Sequence, residues 1–290
     1  MPISVNTNLA ALTAQNSLKG STTKMNTAME RLTTGFKINN SKDDAAGMAV
    51  STKLNFKISS LQVAQNNGQM GASLLDTQEG VLTVLSSNIS RIRQLTEQAA
   101  NGTYGTDSIR AIRLEVESRL EEISRISKST EFNGKYLLDG SITDNICLQV
   151  GIEANSNSTI ELSADLFKNC TTTSIIAIGA YSGQTIHQIC ETVYQTDSTA
   201  RDFLSTLDSA LANVTDRITQ IGGLQQRILC SIESANVMHD SMTSANSYIQ
   251  DADIAVESSN YIKEQILQQI STSMLSTANQ APTIALSLLG

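Results

Sequence analysis

From Asp202 to Ile249 the chain carries one unbroken pattern. Apolar or small residues recur alternately four and three apart, at Leu207, Leu211, Val214, Ile218, Ile221, Ile228, Ile232, Ala235, Met242 and Ile249. Gln225, His239 and Asn246 are the polar members of that seam. A mean spacing of 3.5 keeps one stripe of a helix turned toward a partner helix, as in coiled coils and bundles. No proline interrupts the run, and Gly222-Gly223 is its one internal weak point. At 1.5 Å per residue such a helix is roughly 70 Å long, too long for a compact domain. The pattern therefore predicts an elongated helical rod whose other half supplies helices of matching length.

The N-terminal half supplies them. Residues 4–34 predict a first helix with Ala11, Leu18, Met25, Met29 and Leu32 on its seam, closed by Gly35 at the C-cap position. Ser41 with Asp44 resembles a capping box, so a second helix is expected from near Lys42. It runs through Leu54, Ile58, Leu61, Leu75, Leu82, Leu85, Ile89, Ile92 and Leu95. After the turn around Asn101-Gly102, Asp107 is expected to cap a third helix carrying Ile109, Ile112, Val116, Leu120 and Ile123. At the far end Leu267, Ile270, Met274, Ala278, Ala281, Ala285 and Leu288 continue the same spacing, a stripe expected to pack on the first helix and on other copies. Between the helical halves, Ile146–Val150 and Ser158–Leu162 alternate like strands, and Asn133-Gly134 is a turn signal.

The predicted class is thus mainly α: an elongated helical rod with coiled-coil terminal helices and a small β-hairpin and irregular insert. Residues 1–41 with 251–290 are expected to form the terminal layer, 42–140 with 200–250 the rod, and 141–199 the hairpin and insert. Composition narrows what such a molecule does. The net charge of −8 and a pI near 4.8 argue against nucleic acid as a partner. Aromatics are 4% and tryptophan is absent, which suits thin helical seams better than a broad catalytic core. No stretch approaches eighteen consecutive apolar residues, so no transmembrane helix is expected, and the N-terminus shows no cleavable secretory signal.

Several short motifs resemble one family. They are Val5-Asn6-Thr7-Asn8, Arg31 to Asn39 (RLTTGFKIN), Asp43 to Ala49 (DDAAGMA), Gln98 to Thr103 (QAANGT) and Glu131 to Lys135 (EFNGK). Asp251 to Ala255 (DADIA) and Leu286 to Leu289 follow at the other end. This set, in this order, is similar to bacterial flagellin over roughly residues 1–150 and 200–290. The resemblance implies a structural subunit that self-polymerises into the filament used for motility. It also implies an extracellular location reached without a cleaved signal peptide. Expected partners are further copies of the chain, an export chaperone, a filament cap and hook-junction proteins. About 60 residues separate the helical halves, which leaves no room for large outer domains. A hook–filament junction protein shares the terminal pattern. A reading of another class is a surface-exposed binding module or innate immune receptor ligand. The dense signatures at 31–49 and 98–103 favour flagellin.

Chemistry-bearing residues are few. His187 and His239 are the only histidines, and HExxH, P-loop and GxSxG motifs are missing, so neither an enzyme nor a cofactor is expected. Cys147, Cys170, Cys190 and Cys230 lack the paired spacing of zinc sites. His187 with Cys170 and Cys190 lacks a fourth ligand. Cys170 and Cys190 are a candidate disulfide within the insert, with Cys147 as a competing partner and free thiols as the alternative. By resemblance, Arg91, Leu95 and Glu115 align with positions through which flagellins engage a vertebrate toll-like receptor, although Ser90 stands where glutamine is usual. Read as residues alone, Arg91 and Glu115 are solvated helix charges or contacts between subunits, and Leu95 a core position. The chain ends differ in sign. Lys19, Lys24, Arg31, Lys37 and Lys42 outnumber Glu30 at one end, and Asp251, Asp253, Glu257 and Glu264 outnumber Lys263 at the other. Opposite signs favour pairing of the two ends, while apolar burial is expected to do most of the stabilising.

Overall fold

A computed structural model of the chain describes residues 7–172 and 184–287, with backbone only for 281–287. Six α-helices are present among the described residues: α1 (Leu9–Thr34), α2 (Ala45–Ala99), α3 (Thr106–Ser129), α4 (Ile186–Val193), α5 (Asp197–Gln250) and α6 (Ile254–Ser287). Two small antiparallel sheets and two short 3-10 helices, Ser156–Ser158 and Ala164–Phe167, complete the described elements. One sheet pairs β1 (Glu131–Phe132) with β2 (Lys135–Tyr136), the other β3 (Ile146–Gln149) with β4 (Thr159–Leu162). The chain divides into two compact units. One holds the described residues up to Ser59 with those from Asp240 onward, the other Ser60–His239. These limits lie inside α2 and α5, well away from residues 41 and 251.

In the Ser60–His239 unit the apolar seams close on one another. Leu75, Leu82, Leu85, Ile89 and Ile92 from α2 meet Val116, Leu120 and Ile123 from α3, all essentially inaccessible to water. Phe203, Leu207, Ala210, Val214, Ile221 and Ile228 of α5 join them. The polar seam residue Gln225 reaches across to α2, donating to Asp76 Oδ1 and Glu79 Oε2 at 2.8 Å. The chain that follows α3 is stapled to this core by buried polar groups, each of which would be costly if unpaired. Gln78 Nε2 donates to the Leu166 carbonyl at 2.6 Å, Ser127 to Leu138 at 2.6 Å, and Thr172 to Leu120 at 2.8 Å. Thr96 Oγ1 lies 2.7 Å from Tyr194 Oη. Asn133 (φ 50°) and Gly134 (φ 77°) supply the two left-handed residues of the β1–β2 turn. Gly68 is required by packing: a Cβ there would stand 2.8 Å from Ile232 Cγ1.

In the other unit α1 and α6 run antiparallel. Asn8 caps α1, accepting from Ala11 N at 3.0 Å, and Gly35 (φ 77°) ends it in the left-handed cap conformation. The chain then bridges to the α5–α6 junction. Phe36 pairs with Asp251, Lys37 N donates to the Gln250 carbonyl at 2.6 Å, and Ala252 N donates to Gly35 at 2.9 Å. The helix starts differ from the sequence reading. Asp44, not Ser41, caps α2, accepting from Ala46 N and Gly47 N. Gly105 precedes α3, and Asp107 lies inside its first turn, where a carboxylate still complements the helix dipole.

Candidate assembly surface

In the α1–α6 pair, α1 turns mostly apolar residues inward, whereas α6 turns polar ones inward and much of its apolar surface outward. On α1 the positions turned to α6 are Ala11, Ala14, Leu18, Ser21, Met25, Ala28 and Leu32, three and four apart. Leu18, Met25 and Leu32 are half-buried in this pairing, whereas Met29 is 55% exposed and Ala28 is buried. On α6 the inner stripe is Glu257, Tyr261, Glu264, Gln268, Ser271, Leu275 and Ala278. Leu267, Ile270 and Met274, expected to pack on the first helix and on other copies, are 37, 50 and 60% exposed in the single chain, while Ala278 of the same stripe faces α1. The helix is rotated so that most of this apolar stripe is turned away from α1. The side chains of Ala281 and Ala285, and all of Leu288, lie outside the described residues.

Specific polar contacts explain the rotation. Arg31 Nη1 donates to Glu257 Oε1 at 2.8 Å, with both side chains largely shielded. Lys24 Nζ lies 4.0 Å from Glu264 Oε1. Gln268 Nε2 donates to Thr22 Oγ1 at 3.2 Å, and Asn8 Nδ2 to the Ala278 carbonyl at 2.7 Å. The cations at 24 and 31 and the carboxylates at 264 and 257 are each seven residues apart, so one antiparallel register satisfies both pairs. That shared spacing was visible in the sequence as a clue to register. Beside the pair, a groove of about 740 Å³ is walled by α1 residues from Leu9 to Lys24 and by Leu267, Ile270, Met274 and Ala278 of α6.

The other candidate residues fall elsewhere. Arg91 Nε donates to Glu115 Oε1 at 3.3 Å on the surface of the second unit. The hydrogen bond from Arg119 holds the Glu115 carboxyl below the usual range, with Arg91 adding to it against a smaller opposing cost of burial. Leu95 is 3% exposed and belongs to the core, so the three do not form one accessible surface. His187 faces carboxylates, with Nδ1 2.8 Å from Glu117 and Nε2 3.5 Å from Glu191, and is not turned to the cysteines. No cluster of three metal-ligating side chains occurs among the described residues.

All four cysteines are free thiols, Cys147 and Cys230 exposed, Cys170 and Cys190 buried, so no Cys170–Cys190 bridge is present. Arg217 Nη1 donates to Cys170 Sγ at 2.7 Å, and the thiol itself points at the Lys168 carbonyl. Burial pushes the Cys170 thiol up, partly opposed by Arg217. Burial, with Glu117 adding, pushes Cys190 up to about 12. At pH 8 that leaves on the order of 10⁻⁴ of Cys190 as the reactive thiolate. Native protein treated with iodoacetamide should be modified at Cys147 and Cys230 only, with all four sites reacting in guanidinium. Mass spectrometry of the peptides checks this. Two unreactive sulfurs in the unfolded protein would establish a bridge instead.

Two family models match the chain: the bacterial flagellin N-terminal helical region over residues 5–143 and the C-terminal helical region over residues 204–289. The flagellin of Xenorhabdus nematophila is 36% identical, with 98% of each chain covered. That of Bacillus subtilis is 34% identical over 98% of this chain and 99% of its own. In fold alone, a solved structure from Vibrio parahaemolyticus described as hook-associated matches 72% of this chain and 99% of its own, with a TM-score of 0.60 at 17% identity. Both helical ends are matched in order, and relatives a third identical run the full length, so the chain belongs to the bacterial flagellin family as a structural subunit of the filament.

Proposed function

We propose that the α1–α6 pair is the surface through which copies of this chain meet in the filament. One observation carries the proposal: Ile262, Ile266, Ile270 and Met274 point away from a pairing that buries Glu257, Glu264 and Ser271 on the same helix. A helix whose apolar side faces water, while its polar side is covered, is completed by another partner. Covering each half-exposed side chain contributes roughly 1 kcal/mol, and the contribution recurs at every subunit. On this reading residues 1–41 with 251–290 form the terminal coiled-coil layer of the inner filament core, 42–140 with 200–250 the helical rod domain, and 141–199 the hairpin and insert. The same exposed face gives a reason for an export chaperone on α6, since it needs shielding before assembly. Family resemblance adds a filament cap, hook-junction proteins and export without a cleaved signal peptide. Arg91 and Glu115 are the accessible part of the toll-like receptor contact that resemblance implies.

Amide hydrogen exchange tests the central claim. Helices α1 and α6 should exchange far faster in dilute monomer than in filaments, whereas the α2, α3 and α5 core of the Ser60–His239 unit should change little. Equal protection of α1 and α6 in both forms would place the contacts between copies elsewhere.

A further inference from the structure

We infer that the Ser60–His239 unit carries a binding site for a small hydroxylated carboxylate, of the size and chemistry of a sugar acid, between the turn that opens α3 and the turn that opens α5. A cavity of about 390 Å³ lies there, within the size range of small-molecule sites. Its wall gathers Tyr104, Arg110 and Arg113 from the α3 side and Tyr194, Gln195 and Asp197 from the α5 side. Arg110 and Arg113 are three residues apart, so both leave the same face of α3. The charges of this wall are not matched within the chain. The side chains of Arg110 and Asp197 have no hydrogen-bond or ion-pair partner among the described residues, and they do not pair with each other. Arg113 reaches Glu191 only at 3.8 Å, beyond hydrogen-bond distance. Its Nε is shut off from water without an acceptor, and a buried donor left unpaired is costly.

The backbone adds to the positive side. No side chain caps α3 at Gly105, so its first amides, beginning with Thr106 on the cavity wall, keep free N–H groups at the positive end of the helix dipole. In a chain of net charge −8, this local gathering of cationic donors selects a carboxylate, which a guanidinium fork takes up through two parallel hydrogen bonds. From α5 come groups of the other kind. Gly102 leaves room for the Asp197 carboxylate, since a Cβ at residue 102 would stand 2.8 Å from Asp197 Oδ2. Asp197 accepts from hydroxyls, the Gln195 amide donates and accepts, and the Tyr104 ring, 43% exposed, supplies apolar surface for the C–H side of a pyranose. A ligand with a carboxylate at one end and hydroxyls at the other satisfies both sets. A neutral sugar leaves the arginines unmatched, and a bare anion gives Asp197 no donor.

Titration of the full-length monomer followed by ¹H–¹⁵N NMR tests this, with D-glucuronate as the probe and D-glucose, acetate and L-glutamate as comparisons. The amides of Gly105, Thr106 and Gln195 should shift and saturate as one site, with a Kd of about 1 mM or tighter for a ligand of that size, while those of β3 and β4 stay in place. Arg110→Gln should weaken glucuronate at least about tenfold, the loss of one charge-assisted contact. The Arg110 side chain pairs with nothing in its own chain, so the circular dichroism of the variant should be unchanged and the loss reports the site. Arg125→Gln removes a surface arginine that pairs with Glu122 outside the cavity and should bind as the unsubstituted protein does. Failure of glucuronate to give a saturable shift, or equal affinity in Arg110→Gln, overturns the site. Glucose or acetate binding as tightly as glucuronate overturns the sugar-acid assignment, and so does tighter binding of L-glutamate, which would give Asp197 an ammonium partner.

Discussion

Ile270→Asp protein should fold as a monomer and fail to extend filament seeds. Ile270 is half exposed in the single chain, so a carboxylate there stays hydrated and the α1–α6 pairing loses little. The contacts that set its register, Arg31 with Glu257 and Gln268 with Thr22, do not involve Ile270. When a second copy covers the position, the carboxylate must be buried without a cation, at a cost of several kcal/mol. Each 1.4 kcal/mol is a factor of ten in an equilibrium constant, so the affinity of a subunit for the filament end should drop by about a thousandfold or more. Every added subunit repeats the penalty, and growth stops. Circular dichroism of the monomer should match the unsubstituted protein, and electron microscopy after seeding should show bare seeds. Ile270→Leu keeps the apolar area and should support growth. Filaments of normal length and number from Ile270→Asp protein would show that this face stays in water.

Phe203→Ala should produce the reverse outcome, a chain whose assembly face is intact and whose Ser60–His239 unit is weakened. Phe203 is fully buried, on α5, within the cluster that joins α2, α3, α4 and the insert. Truncating a buried phenylalanine removes its transfer free energy and leaves a cavity that close-packed neighbours fill only in part, at a cost of about 3–5 kcal/mol. Against a typical total stability of about 5–15 kcal/mol that is a large fraction. For a unit of this size it corresponds to a fall in Tm of about 10 °C. Thermal unfolding followed at 222 nm, with guanidinium titration as the second measure, would register it. Tyr248→Ala removes an aromatic ring that is 87% exposed and should change stability by less than about 0.5 kcal/mol. Similar losses from the two substitutions would mean that the core does not lie where α5 places it.

Much of the molecule could be read from residue order because it depends on local spacing. The three–four recurrence from Leu207 to Ala235 names the residues that α5 turns toward its neighbours, with Leu207, Val214, Ile221 and Ile228 fully buried. Gly35 marks the end of α1 because few other residues adopt its positive φ. The alternation at 146–150 and 158–162 gave the β3–β4 pair, since successive strand side chains point to opposite faces. The flagellin motifs needed no geometry at all.

What the spacing could not decide is which of two neighbouring stripes on a helix meets which partner. On α6 the apolar stripe through Leu267, Ile270 and Met274 and the polar stripe through Glu257, Glu264 and Ser271 share the same period. Periodicity offered the apolar one as the seam for α1 and for other copies together. The structure turns the polar one inward because Arg31, Thr22 and Asn8 on α1 meet Glu257, Gln268 and the Ala278 carbonyl in a single antiparallel register. The same limit displaced Met29 in favour of Ala28, where close approach of the two helices suits the smaller side chain. Leu95, Cys170 and Cys190 lie deep in a core built from segments far apart in sequence, and their burial is a property of that packing. Residue order alone determined the long helices, the C-terminal end of α1 and the family. Tertiary structure decided the faces, because a helix is turned by the partners that satisfy its polar groups as well as by its own apolar content.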